Sequence, residues 1–260
     1  MPDNLLIPFL ITAAGVVLLI IGISRRGRAL SFKSVPCRPI ASLAGGERQF
    51  ITGKTHSPAA APSPVTKTPC VFCHETVERN EEHYSSSGGD SSTDWVLVSD
   101  AACGAFFVTD ATGTALAAPG AGSLDLVRPE TSDADAIQPF GGTPGSLRRT
   151  ERIIAADALV TVLGTPRSLS EFIQYLRQNA GGISPDFLAE LLKMEKGPGA
   201  GIPCFFGGGL ERIADQRYGD YVSGSESSAS SLLWAGAAVT ALGACAVLYT
   251  LNIFKGGLPE

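Results

Sequence analysis

The chain has 260 residues, a formal net charge of −5 and 44% hydrophobic residues, and only 17% of its residues are charged, against roughly 25% in an average soluble protein. The acidic balance, with an isoelectric point near 5.3, excludes a nucleic-acid footprint, which requires Lys and Arg clustered on one face. The charge deficit has its source in two uncharged apolar blocks, at residues 5–23 and 232–254.

Each block supplies the roughly 20 apolar residues that cross about 30 Å of hydrocarbon as a helix, the conformation that satisfies every backbone group internally. The first block is preceded by Met1-Pro2-Asp3-Asn4, with an acid and no Lys or Arg, and no small-residue cleavage site follows it; it is expected to be a retained anchor rather than a signal peptide. Arg25, Arg26, Arg28, Lys33 and Arg38 follow it, whereas Lys255 is the one basic residue after the second block. In a bacterial or archaeal plasma membrane this bias places the central region on the cytoplasmic side.

Residues 31–40 form a juxtamembrane lead-in punctuated by Pro36 and Pro39. A turn at Gly45-Gly46-Glu47 precedes an alternating strand at residues 48–54, and residues 56–69 are expected to be an extended surface loop. Strands follow at residues 70–79, 95–98, 105–108, 114–118, 124–127, 151–154 and 159–163, with a turn signal at Asp110-Ala-Thr-Gly113. Residues 83–94, almost free of apolar side chains, read as a polar hairpin tip. The run Arg148-Arg149-Thr150-Glu151-Arg152, broken by its carboxylate, reads as a solvated loop-to-strand junction. Two helices are expected: residues 168–178, with a capping box at Ser168 and Glu171, and residues 185–193, capped by Ser184 with Pro185 at the first position. In the second span, Trp234 and Tyr249 lie towards opposite ends, as interfacial aromatics do.

The expected fold class is therefore an α+β membrane protein: two transmembrane helices flanking a barrel- or sandwich-like β-rich domain with two short helices. Its divisions are residues 1–24 (first span), 25–167 (juxtamembrane segment and β-rich domain), 168–230 (helical extension and linker) and 231–260 (second span and tail).

Cys70-Val-Phe-Cys73-His74 matches the C-x-x-C-H pattern of covalent haem attachment. It lies in a strand-forming run, where residues three apart point to opposite faces, so Cys70 and Cys73 are expected to share no ligand site. Zinc binding lacks a second Cys/His pair. Cys37, Cys103, Cys204 and Cys245 are scattered and form no disulfide framework. Gly53-Lys54-Thr55 resembles the end of a P-loop, but Arg48 stands where the first glycine should be. His56, His74 and His83 assemble no nucleophile with a base. No cofactor is expected.

In the two spans, Gly15 and Gly22 are seven residues apart, as are Gly236 and Gly243, with Ala237 and Ala241 nearby. Close backbone approach at small residues supplies much of the contact between helices in lipid. These glycines are expected to form an antiparallel seam, with Leu19 on another face.

A more specific pattern is Ser63-Pro64-Val65-Thr66-Lys67-Thr68-Pro69-Cys70-Val71, with Val77-Glu78 further on. It resembles the S-P-x-x-x-x-P-C-V segment of the GIDE-domain family, membrane-anchored E3 ubiquitin ligases of the MULAN/MAPL type. Phe106-Phe107-Val108-Thr109-Asp110-Ala111-Thr112-Gly113, followed by Pro119 and Ala121, is similar to that family's F-x-x-x-D-x-T-G…P-x-x-A stretch. Gly46-Glu47, Thr52-Gly53, Glu151 and Val162-Leu163-Gly164 fall in the same order. The resemblance covers roughly residues 40–165. It implies a domain lying beside an organelle outer or envelope membrane between two spans, with Ser63, Pro64, Pro69, Cys70, Phe106, Asp110, Gly113 and Pro119 as structural motif positions. The family's ligase chemistry resides in a zinc-binding RING after the second span. Residues 255–260 contain neither Cys nor His, so a scaffold without the ligase is expected. The expected partners are membrane lipid and an unidentified protein. The second reading is a component of a ubiquitin-type ligase system working with a separate RING-bearing or conjugating partner. A third, weaker reading is a redox or haem protein through Cys70, Cys73 and His74.

Overall fold

A computed structural model describes residues 6–43, 45–84, 91–126, 130–131, 146–179 and 184–256. The chain runs through α1 (Leu6–Lys33), β1 (Gln49–His56), β2 (Ala61–Pro62), β3 (Pro69–Tyr84), β4 (Ser91–Cys103), β5 (Phe106–Thr109), β6 (Thr114–Ala118) and β7 (Glu130–Thr131). It continues through β8 (Leu147–Ala155), β9 (Leu159–Gly164), α2 (Leu169–Gln178), α3 (Pro185–Glu195), β10 (Cys204–Phe206), β11 (Leu210–Ala214) and α4 (Tyr218–Gly256). These elements divide into two units, residues 37–218 and residues 1–36 with 219–260.

In the first unit, one sheet has the order β10-β6-β5-β1-β9-β11 and curls into a half-barrel. All of its pairs are antiparallel except β10 with β6. Both of its edges are closed by short connections. Arg167 and Cys204 exchange backbone hydrogen bonds of 2.8 and 3.0 Å beside β10, and Asp125 donates to Ile213 of β11 at 2.8 Å. A second sheet has the order β2-β3-β8-β7, with β4 also paired to β3.

Side chains on a strand alternate between faces, and the half-barrel strands use both. Phe106, Val108, Ala115, Ala117 and Phe205 join Val71, Phe72 and Ile154 of the second sheet in one core. Phe107, Leu116, Ala118, Cys204 and Phe206 face the other way, against Leu169, Phe172, Leu176, Phe187 and Leu191 of α2 and α3. Burial on both faces explains why Phe106-Phe107-Val108 and Ala115–Ala118 read as unbroken apolar runs. The result is a three-layer α+β packing of sheet, half-barrel and helices. Phe172 meets Phe206 edge-on at 5.3 Å between centroids, and Phe107 meets Phe187 likewise at 5.6 Å.

Helix α2 begins with the expected capping box, Ser168 and Glu171 each serving the other's backbone N–H, and α3 begins with Ser184 and Pro185 as expected. Other expectations are corrected. Residues 168–230 are not only a helical extension and linker, because β10 and β11 lie within them and complete the half-barrel. Such strands are too short to show a period, and their pairing is decided by backbone groups distant in sequence. The polar stretch 83–94 is strand up to Tyr84 and from Ser91 onward, with Tyr84 opposite Ser91 in the ladder; residues 85–90 lie outside the described set. Residues 124–126 carry a single bridge, Leu124 to Ile213, instead of a strand, and Val127 lies outside the described residues.

The second unit contains two helices long and apolar enough to cross a membrane. Both run past the apolar blocks. Helix α1 continues through the basic cluster to Lys33, and α4 begins at Tyr218. With 28 and 39 residues, they measure about 42 and 58 Å at 1.5 Å per residue.

Candidate functional site

The residues of the S-P-x-x-x-x-P-C-V segment converge on one carboxylate. Glu151, on β8, is fully buried. It accepts hydrogen bonds from the Ser63 hydroxyl at 3.0 Å, the Val65 N–H at 3.0 Å, the Thr66 N–H at 2.9 Å and the Thr66 hydroxyl. Burial opposes its charge, yet the hydroxyl and amide donors of Thr66, Val65 and Ser63 outweigh it and hold the carboxyl below its ordinary value. Residues 56–69 are surface, as expected, except that Ser63 is buried where the turn after β2 closes onto Glu151. Pro64 and Pro69 are exposed and bracket the turn, in which Lys67 adopts φ 59°. The basic run around Glu151 is not a junction but the body of β8; Arg149 and Arg152 are exposed, as expected of a solvated run, whereas Glu151 is buried and Arg148 pairs with Glu78 at 2.6 Å.

The D-x-T-G stretch makes a second hub at the β5–β6 turn. One Asp110 oxygen accepts from the Thr112 N–H and hydroxyl, both at 2.6 Å, and from the Gly113 N–H at 2.9 Å. The other accepts from the Ile40 N–H at 2.9 Å, while Thr112 accepts from the Ala41 N–H at 3.1 Å. Asp110 thus staples the incoming chain onto the turn. Partial burial opposes its charge, but these donors hold it below the ordinary carboxylate value. A Cβ on Gly113 would lie 3.4 Å from the Ile40 side chain, so the fit there is close. Phe106 is core, and Pro119, also buried, ends β6. Asp110→Ala is expected to lose about 1–2 kcal/mol, as removal of a local cap does. Faster hydrogen exchange at the Ile40 and Ala41 amides would locate the loss.

Cys70 and Cys73 do not point to opposite faces. Cys70 opposes Ala155 on β8, whereas Cys73 opposes Ile153, with a register shift between Cys70 and Phe72. Ala155 and Ile153 are two apart and share a face, so the bulge at Val71 brings both cysteines to that face. The same shift turns Val71 and Phe72 together into the core. Burial, the larger effect, and nearby acidic groups push the Cys70 thiol up to about 11 and Cys73 to about 12; burial likewise pushes Cys204 to about 12. These are protonated thiols at neutral pH. Among the described residues no group of three or more His, Cys, Asp or Glu could hold a metal ion. His74 is buried and bonded to Asp100 at 2.6 Å.

Comparison of the chain with protein-family models, curated proteins and solved structures found no match.

A cleft of about 570 Å³ is lined by Leu43, Thr165, Arg167, Glu171, Ile202 and Pro203, among others. Its charged groups are already engaged: Glu171 closes the capping box and the Arg167 guanidinium lies 5.4 Å from the Phe206 ring centroid.

Gly15, Gly22, Gly236 and Gly243 lie on one seam between the two long apolar helices. The buried positions of α1 are Pro8, Gly15, Gly22 and Ala29, and those along α4 include Val222, Ala229, Gly236 and Gly243. Both sets repeat every seven residues, the period of two helices supercoiled on a narrow stripe. A Cβ on Gly15 would meet the Thr240 N at 2.5 Å, and one on Gly243 the Thr12 N at 2.7 Å. Leu19 belongs to this seam rather than another face: a Cβ on Gly236 would meet its N at 2.8 Å and its Cγ at 3.0 Å. Beyond the apolar stretch, Lys33 pairs with Glu226 at 3.0 Å.

Strand β4 carries the feature that sequence reading missed. It pairs with β3, and no other described strand pairs with it. From Asp94 to Cys103 every residue except Trp95 is exposed, and Val96, Leu97 and Val98 are 37%, 57% and 54% exposed. Consecutive Val-Leu-Val reads as a core strand by composition, so only the pairing pattern reveals it as an edge.

Proposed function

We propose that this chain is a membrane-tethered, non-catalytic scaffold whose β-rich unit binds a partner polypeptide along the edge of β4. The observation that carries this reading is the exposed Val96-Leu97-Val98 run. A long edge strand with apolar side chains offers unpaired backbone groups for strand addition and is a liability unless something uses it. The saturation of Glu151 and Asp110 by hydrogen bonds, and the protonated state of the buried thiols, favour binding over chemistry. The unit is read as related to the beside-the-membrane domain of GIDE-type ligases, on the strength of the Ser63–Cys70 and Phe106–Pro119 motifs. The basic residues after the first span favour the cytoplasmic side of a plasma membrane.

The test is a photo-crosslinking amino acid at Leu97 of the full-length protein in its native membrane. A discrete adduct is expected. It should fall about tenfold in Val96→Lys/Val98→Lys, which removes two apolar cross-strand contacts. Adduct yield unchanged by the double substitution, or a photoadduct formed only with lipid, would overturn the edge reading. An adduct containing ubiquitin-conjugating machinery would instead identify a ligase component.

A further inference from the structure

The thiols of the second sheet are arranged in a way that neither scaffolding nor metal binding uses. Cys73 on β3 and Cys103 on β4 are directly opposite in the antiparallel register. Such pairs have Cα atoms about 4.5 or 5.5 Å apart, both inside the roughly 4.4–6.8 Å that a disulfide spans. Opposite residues share a face, so both side chains project to the same side of the sheet. The register irregularity in this ladder lies at Val77/Glu78, away from the pair. Gly104 fixes the end of β4: its φ is +116°, and a Cβ there would meet the Val71 carbonyl oxygen at 2.5 Å. The chain after Cys103 therefore presses against the β3 bulge. Cys103 is exposed and Cys73 is buried, and both are free thiols. Cys70 shares the face but faces Ala61 and Ala155 instead, and its thiol donates to the Ala61 carbonyl at 3.4 Å.

We propose that Cys73 and Cys103 form a reversible dithiol–disulfide pair which, on oxidation by a low-molecular-weight disulfide, staples the exposed strand β4 to β3. The exposed Cys103 reacts first. Its thiolate attacks one sulfur of the small disulfide, forming a mixed disulfide and releasing one small thiolate. The Cys73 sulfur then attacks the Cys103 sulfur. The second small thiolate leaves, and the Cys73 proton passes to it. Two protein thiols are oxidised, one small disulfide is reduced to two thiols, and a thiol reductant reverses both steps. Burial of Cys73, which keeps it protonated, makes closure the slow step and leaves the mixed disulfide as the intermediate. The staple does not depend on β4 having a partner.

The experiment uses the full-length protein in detergent micelles, titrated with oxidised glutathione, then alkylated and mapped by mass spectrometry without reduction. The chain has six cysteines. Four should remain alkylatable after oxidation, with one Cys73–Cys103 cross-linked peptide that dithiothreitol removes. Closing the loop between them constrains the unfolded chain, so the melting temperature should rise on oxidation in the wild type and in Cys70→Ser. It should not rise in Cys103→Ser, whose change is at an exposed site and leaves the core intact. Full alkylation of both cysteines after oxidation, a glutathione adduct at Cys103 that never closes, or a Cys70–Cys73 link would each overturn the proposal.

Discussion

Replacing Glu151 by alanine is expected to destabilise the β-rich unit by about 3–5 kcal/mol, the cost of leaving the partners of a buried charge unpaired. The Val65 and Thr66 amides and the Ser63 and Thr66 hydroxyls all turn towards this one carboxylate; the Ser63 hydroxyl also lies 2.8 Å from that of Thr66, and the Thr66 hydroxyl 3.1 Å from that of Thr68, so the loss falls mainly on the two amides. Glu151→Gln keeps the volume and one acceptor oxygen but sets an amide N–H₂ against donors, and should lose about 2 kcal/mol. The pH dependence has a definite sign. The folded-state carboxyl lies below its ordinary value of 4.5 because, against the opposing effect of burial, the Thr66, Val65 and Ser63 donors favour the anion. Its stabilisation is therefore complete above about 4.5 and is lost as pH falls through the lower folded value. Chemical denaturation of the full-length protein in detergent between neutral and acid pH checks both statements. Glu151→Ala should flatten the acid limb as well as lower the neutral plateau. A loss below about 1 kcal/mol would mean the loop finds other acceptors.

Gly15→Leu is expected to separate the two long apolar helices, at about 2–3 kcal/mol for overpacking a tight contact. The Thr240 backbone nitrogen sits where the new Cβ would go, so no rotamer change relieves the clash and one helix must move away. Gly243→Leu meets the Thr12 backbone in the same manner. Between helices that lie in lipid there is no hydrophobic driving force to recover such a loss. Ile20→Ala, on the exposed side of α1, is the matched control and should have little effect. Cross-linking by a short thiol-reactive reagent between cysteines placed at Arg25 and Ser228, an exposed pair whose side chains meet across the two helices at 3.4 Å, in otherwise cysteine-free protein would report the separation. Equal cross-linking rates with and without Gly15→Leu would show that the helices do not depend on this contact.

The sequence by itself determined the features that rest on local chemistry. The two apolar helices follow from uninterrupted runs long enough to span hydrocarbon, and α2 and α3 from Ser caps with Glu171 or Pro185 beside them. The β5–β6 turn follows from Asp110, Thr112 and Gly113, whose side-chain and backbone bonds close within four residues. Only the tertiary structure decided the rest. Strands β10 and β11 exist because distant backbone groups on β6 and β9 accept them, not because three or five residues carry a period. The facing of Cys70 and Cys73 was reversed by one extra residue at Val71, which strict alternation along a strand leaves out. Glu151 sat in a run of arginines that reads as solvated, and its burial depends on donors from a loop more than eighty residues earlier. Val96-Leu97-Val98 has the composition of a core strand, but exposure is a property of the neighbour that is missing, and no strand encodes its own neighbours.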